Sequence, residues 1–272
     1  MFNYRNMEMI IIKGRIRIKS CRTARCLAFI HPSVDFLLLD MLYFSPMSCR
    51  CQKCFRPADF CLCKYTKEID SGVKFVFLMH PKEYRKQRTG TGRLAKISLK
   101  DSEILVGIDF SQNTRLQALL NDPRYFPVLL YPGEDAWNVK KEGFVQAAGG
   151  RTLLAIIIDA TWFCSRKVIQ HSPFLLDLPK LSFAGEYRSI FTFKREPKPE
   201  CVSTIETCYY LIKELQSAGL AEKSADPEPL MTVFKQMITD QLRAENERIA
   251  GIRPNTHPKD WKYTRTREIP DF

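Results

Sequence analysis

The sequence has no apolar run long enough to cross a bilayer. Its best candidate, residues 36–44 (FLLLDMLYF), is short and is interrupted by Asp40, whereas a spanning helix needs about 20 apolar residues. Residues 1–19 are basic and apolar but lack the uninterrupted hydrophobic stretch of a secretory signal. These absences leave no transmembrane segment; the cysteines, clustered once and otherwise scattered through apolar sequence, read as those of a reduced cytoplasmic protein. There is no internal repeat and no low-complexity tract, which excludes solenoids and disordered linkers. Acidic residues are thin in one place above all: residues 82–100 hold Lys82, Arg85, Lys86, Arg88, Arg93, Lys96 and Lys100 against a single acid, Glu83.

With 42 Lys and Arg against 30 Asp and Glu, the formal charge is +12. Clustered cations suit a polyanion, because each one placed near a phosphate releases condensed counterions. A solvated basic face or an acidic membrane surface accounts for the charge equally well at this point. The 272 residues, 45% hydrophobic and 26% charged, suffice for one large α/β domain with appendages or for two small domains.

After residue 70, short apolar runs alternate with segments of helical spacing. Residues 73–79, 104–110, 128–131, 153–158 and 181–183 read as strands covered on both faces, as in a parallel sheet. Helical spacing appears at 92–98, at 113–121 with Asn113 as N-cap, and at 162–170. At 203–218, Ser203 and Glu206 stand at capping-box spacing, and a last helix is expected over 228–250. The alternation predicts an α/β fold with a mostly parallel sheet and flanking helices. Four segments follow: an extension at 1–48, a cysteine-rich segment at 49–66, a main domain at 67–252 and a basic tail at 253–272, which is expected to emerge from the domain. Met47, just before the cysteine motif, is an alternative start for the chain; N-terminal mass spectrometry of native protein tests that expectation.

Of the ten cysteines, five lie between residues 49 and 63. Cys51 and Cys54, then Cys61 and Cys63, offer four thiolates at a spacing that suits a tetrahedral zinc ion. Such a shell has no open position, so the metal would be structural. Cys49 is a spare thiol, and a redox dithiol or plain reduced cysteines are the competing readings.

The strand at 153–158 ends in Asp159-Ala160-Thr161-Trp162. Ligands of open α/β sheets bind at the carboxyl ends of strands, so a carboxylate and a large aromatic there are site candidates. Either Asp159 or Thr161 could instead cap the next helix, and Trp162 could be a core anchor.

Four features in order, Cys51-x-x-Cys54-x-x-Pro57-x-x-x-Cys61-x-Cys63, Thr91-Gly92-Arg93-Leu94, Asp159-Ala160-Thr161-Trp162 and Ser203-Thr204-Ile205-Glu206, resemble the DTW-domain family over about residues 50–250. That family transfers the 3-amino-3-carboxypropyl group of S-adenosylmethionine to N3 of uridine in tRNA. Relatives usually carry Asn where this chain has Gly90, and residues 1–48 have no counterpart.

The resemblance implies a fold related to the knotted (SPOUT-like) RNA methyltransferases, S-adenosylmethionine as co-substrate, structural zinc and tRNA as partner, with no protein partner. It makes Asp159, Thr161 and Trp162 the catalytic candidates. Thr91, Gly92, Arg93, Arg188, Ser203, Thr204 and Glu206 are the candidates for holding the cofactor. An S-adenosylmethionine-dependent RNA methyltransferase and a non-catalytic zinc-containing RNA-binding protein are the rival functions.

Overall fold

The computed structural model describes residues 9–12, 15–18, 50–86, 89–193, 201–254 and 265–272. The chain divides into two compact units, Met1–Cys49 and Arg50–Phe272. In the first, β1 (Met9–Ile12) pairs antiparallel with β2 (Arg15–Ile18).

The second unit holds a five-stranded, all-parallel sheet in the order β4-β3-β6-β5-β7. Its strands are β3 (Lys74–Met79), β4 (Ser102–Val106), β5 (Tyr125–Leu130), β6 (Thr152–Asp159) and β7 (Lys180–Leu181). The helices are α1 (Pro81–Lys86), α2 (Thr91–Ser98), α3 (Thr114–Leu120), α4 (Phe144–Ala148), α5 (Trp162–His171), α6 (Thr204–Ser217) and α7 (Glu228–Ile249). Among the described residues no helix is long and apolar enough to cross a membrane.

Side chains alternate across the sheet, as a strand's two-residue period requires. On one face Phe75, Phe77, Leu153, Ala155 and Ile157 pack with α2, α6 and α7; on the other, Val76, Leu78, Leu154 and Ile156 pack with Leu116, Leu119 and Val168. Burial on both faces is why β3 and β6 read as continuous apolar runs.

Several expectations shift. The strand expected at 104–110 is β4 and ends at Val106; Phe110 is buried in a turn, where its N–H donates to the Ser172 hydroxyl at 2.8 Å. Helices α1 and α4 lie where none was expected, each too short for a helical apolar period to show. The Asn113 cap forms, accepting from the Leu116 N–H at 2.9 Å. Instead of emerging, the end of the chain returns to α7: Asn246 exchanges hydrogen bonds with the Arg267 backbone at 2.8 and 3.0 Å, and Ile269 packs against the core.

The connections place a site. From β3 the chain moves to β4 on one side, and from β6 it moves to β7 on the other, yet β3 and β6 are neighbours. The carboxyl ends of such a pair form a topological switch point, the usual ligand crevice of an open α/β sheet.

Candidate functional site

Asp159 is the last residue of β6, opposite Met79 in β3, and the His80 N–H donates to its carbonyl at 3.2 Å. Its odd-numbered register continues Leu153, Ala155 and Ile157, so the carboxylate faces α2 and α6. Three separated motifs meet there. The Thr204 hydroxyl, at the first position of α6, donates to Asp159 Oδ1 at 2.7 Å. At Gly92, in the first turn of α2, a Cβ would stand 2.2 Å from Asp159 Oδ2 and 2.6 Å from Cγ. Only glycine leaves room for the carboxylate at that place. Both contacts are at helix N-termini, whose unpaired N–H groups and dipoles favour a negative charge.

Asp159 is 8% exposed, whereas Trp162, three residues on, is 51% exposed and Phe163 is 61% exposed. Trp162 is therefore no core anchor. Thr161 occupies the N-cap position of α5 without a side-chain cap bond, and Asp159 is engaged with Thr204 of α6.

The remaining candidates spread around this centre. Thr91 is buried at the first turn of α2. Arg93 is buried too, with its guanidinium carbon 3.9 Å from the Phe55 ring centroid and 4.2 Å from that of Tyr84, and it donates to the Tyr84 carbonyl. Burial lowers its pKa, opposed by Tyr84 and Asp159. Glu206 is fully buried. Ser203 N–H, Ser203 Oγ and Ser189 Oγ donate to its Oε2 at 2.8, 2.6 and 2.7 Å, and Ile190 N–H to Oε1 at 2.8 Å. The capping box thus exists and also fastens the loop before α6. Glu214, two turns on, takes the Ala184 and Gly185 N–H groups and the Tyr187 hydroxyl of the same loop. Arg188, in that loop, is exposed and unpaired among the described residues.

His80 was not singled out by sequence reasoning. Its signal was position alone, a lone imidazole closing an apolar strand before Pro81. It is buried, and its Nδ1 accepts the Lys82 N–H at 3.1 Å, which leaves the proton on Nε2. Burial first, then the charges of Lys167 and Lys82, hold its pKa below the ordinary value.

The cysteines form a second centre. Cys51, Cys54, Cys61 and Cys63 bring their sulfurs within 4.8 Å of one another, with Cys51 to Cys63 at 3.6 Å and Cys54 to Cys61 at 3.8 Å. A tetrahedral shell with Zn–S of ~2.3 Å needs sulfurs ~3.8 Å apart, so the two closest pairs already stand at that spacing and the donor set suits zinc. All four are free thiols. Burial works against the thiolate at Cys51, yet the Cys54 and Lys53 N–H groups and the neighbouring sulfurs bring it down to about 6. Burial raises Cys61 and Cys63; a bound cation reverses that balance. Phe55, directly after Cys54, takes a left-handed backbone (φ 59°) that carries its ring onto Arg93.

The basic stretch at 82–100 does not form one face. Arg93 is enclosed, Lys100 pairs with Asp70 at 2.6 Å, and Lys82 and Arg85 are exposed. The side chains of Lys86 and Arg88 lie outside the described residues.

The chain is similar to known proteins. A Drosophila melanogaster protein named tRNA-uridine aminocarboxypropyltransferase 2 is 27% identical over 217 residues, which is 77% of this chain and 83% of that protein. No solved structure matches the chain significantly. The family model described as DTW domain matches residues 48–242, from the cysteine segment through the Asp159 centre into α7, and the chain belongs to the DTW-domain family.

Proposed function

We propose that this chain transfers the 3-amino-3-carboxypropyl group of S-adenosylmethionine to N3 of a uridine in tRNA, on a fold related to the knotted RNA methyltransferases and with zinc in the cysteine shell. The observation that carries the reading is the meeting of Gly92, Asp159 and Thr204, from three motifs far apart in sequence, at one carboxylate on the switch point. The name of the Drosophila relative supports aminocarboxypropyl transfer to a tRNA uridine.

The donor set suits the cofactor: an anionic acceptor at Asp159 for a cationic group, and the exposed guanidinium at Arg188 for a carboxylate. Arg188 with the backbone at Thr91 and Gly92 are the residues best free to hold it. Arg93, Ser203 and Glu206 are already committed to Phe55, Tyr84 and the loop at 184–190. When bound, S-adenosylmethionine supplies a sulfonium-activated carbon, with methylthioadenosine as the leaving group.

Asp159 accepts the N3–H of the uracil edge and orients it. An ordinary aspartate, with a pKa of ~3.9, is a weak base for an imide, so the proton moves to Asp159 late, as N3 forms its new bond. Thr204 holds one oxygen of the carboxylate, and Gly92 admits the other. Trp162, exposed beside them, supplies an aromatic face for the base.

Incubating the protein with tRNA and S-adenosylmethionine tests this. The expected products are an aminocarboxypropyl-uridine nucleoside and methylthioadenosine, both read by mass spectrometry. S-adenosylhomocysteine with a methylated nucleoside would mean methyl transfer, and tRNA binding without any product would mean a binding protein.

A further inference from the structure

The outer surface of α5 is not used by the chemistry above. Cys164 and Val168, four residues apart, are the side of α5 that faces the core. Phe163, Arg166, Lys167 and Gln170 follow at the helical spacing i, i+3, i+4, i+7 and are all exposed. Phe163 is 61% exposed, so it contributes little to the core. Lys167 Nζ lies 4.9 Å from the Phe163 ring centroid. That pair would steady an isolated helix slightly, but two adjacent exposed aromatics, Trp162 and Phe163, exceed what helix stability needs.

Lys82 of α1 donates its N–H to His80 Nδ1 at 3.1 Å, and His80 adjoins Asp159 at the switch point, where burial first and then the charges of Lys167 and Lys82 lower its pKa. Arg166 stands one residue from Lys167. Phe163 is four residues from Asp159, at most about 14 Å of chain. An aromatic face bordered by cations suits single-stranded nucleic acid: bases stack on the ring, and phosphates meet the cations.

We propose that the exposed face of α5, formed by Phe163, Arg166 and Lys167 with Lys82 beside it, binds the single-stranded RNA that flanks the target uridine. The inference rests on the tRNA-modifying reading. It goes beyond it by assigning the partner's unpaired nucleotides to a surface outside the Asp159 centre.

The test is equilibrium binding of fluorescent tRNA to the full chain, without S-adenosylmethionine, over a series of salt concentrations. Phe163→Ala should weaken binding roughly ten-fold, and Phe163→Tyr should restore it, because stacking needs only a π face. Arg166→Glu with Lys167→Glu should weaken binding further and lower the slope of log affinity against log salt by about 0.7 for each phosphate no longer neutralised. All three side chains are exposed, so the melting temperatures of the variants should match the wild type. Wild-type affinity in Phe163→Ala, or wild-type affinity and slope in the charge-reversed variant, would overturn the proposal. So would vesicles of anionic lipid bound by the wild type and released by the variants while tRNA affinity stays constant. Because donor is absent, the outcome is separable from catalysis: tRNA bound through this face, with no modified nucleoside formed once S-adenosylmethionine is added in a separate assay, would leave the surface standing and remove only the enzymatic reading.

Discussion

The cysteine segment and the Asp159 centre both withdraw polar side chains from water, and they do so in opposite ways. The four sulfurs come from residues 51–63 and lie within 4.8 Å of one another. Asp159 takes its surroundings from α2 and α6, distant in sequence, and stands beside exposed Trp162. A closed local shell contributes folding energy and leaves no position for a reactant. A carboxylate held from the side, at the open end of a strand, is rigid yet adjacent to solvent. Arg93 links the two regions: it lies under Phe55 of the cysteine segment, and its chain neighbour Gly92 adjoins Asp159.

The sharpest way to break this comparison is Asp159→Asn. It should lower modified-uridine formation by about 100- to 10,000-fold, the range for loss of a positioned acid–base group. Asn keeps an oxygen for Thr204, so thermal melting should stay within about 2–4 °C of the wild type. Equal loss of fold would make Asp159 no different in kind from the cysteines.

Removing the metal is the converse. Chelation, or Cys61→Ser, should lower the melting temperature by about 10 °C, and activity should fall only with the folded fraction. Unchanged melting of metal-free protein would deny the shell its structural role.

Gly92→Ala probes the approach of α2 to the carboxylate. Helix propensity alone favours Ala by about 1 kcal/mol. The Cβ, at 2.2 Å from Asp159 Oδ2, should reverse that sign and cost about 1–3 kcal/mol in denaturant unfolding. On the proposed reaction activity should fall with it, because the displaced carboxylate is the group that takes the N3 proton. A stabilised, active variant would show that the carboxylate is free to move aside.

The smallest effect concerns His80. Its folded-state pKa is depressed, first by burial and then by Lys167 and Lys82, while the unfolded chain takes up this proton near ~6.5. Stability from this group is complete above that value and is lost as pH falls from there through the folded value. His80→Asn keeps an acceptor for the Lys82 N–H but does not titrate, so melting curves between pH 5 and pH 7.5 should show a flatter acid decline. An unaltered slope would mean that His80 takes up no proton on unfolding in that window.

What the residues make legible follows from how far their partners lie. The cysteine shell, the Asn113 cap and the pair Ser203 and Glu206 form within a few residues, so spacing alone announces them. Long apolar strands such as β6 declare themselves because both faces are buried. Short helices carry too few periods to be read, which is why α1 and α4 were missed. Arg93 was a candidate for holding the cofactor; its aromatic sandwich needs Phe55, which local sequence cannot bring near. Glu206 was visible as a cap, but its hold on Ser189 and Ile190 was not.

Sequence by itself determined the alternation of strands and helices, the cysteine cluster, the caps and the family, because each rests on local stereochemistry or on motif order. Tertiary structure alone decided that β3 and β6 are neighbours, that Asp159 faces Gly92 and Thr204, and that Phe163 faces solvent. Strand order and facing depend on how buried surfaces share one sheet, a property of the whole chain that no window of residues contains.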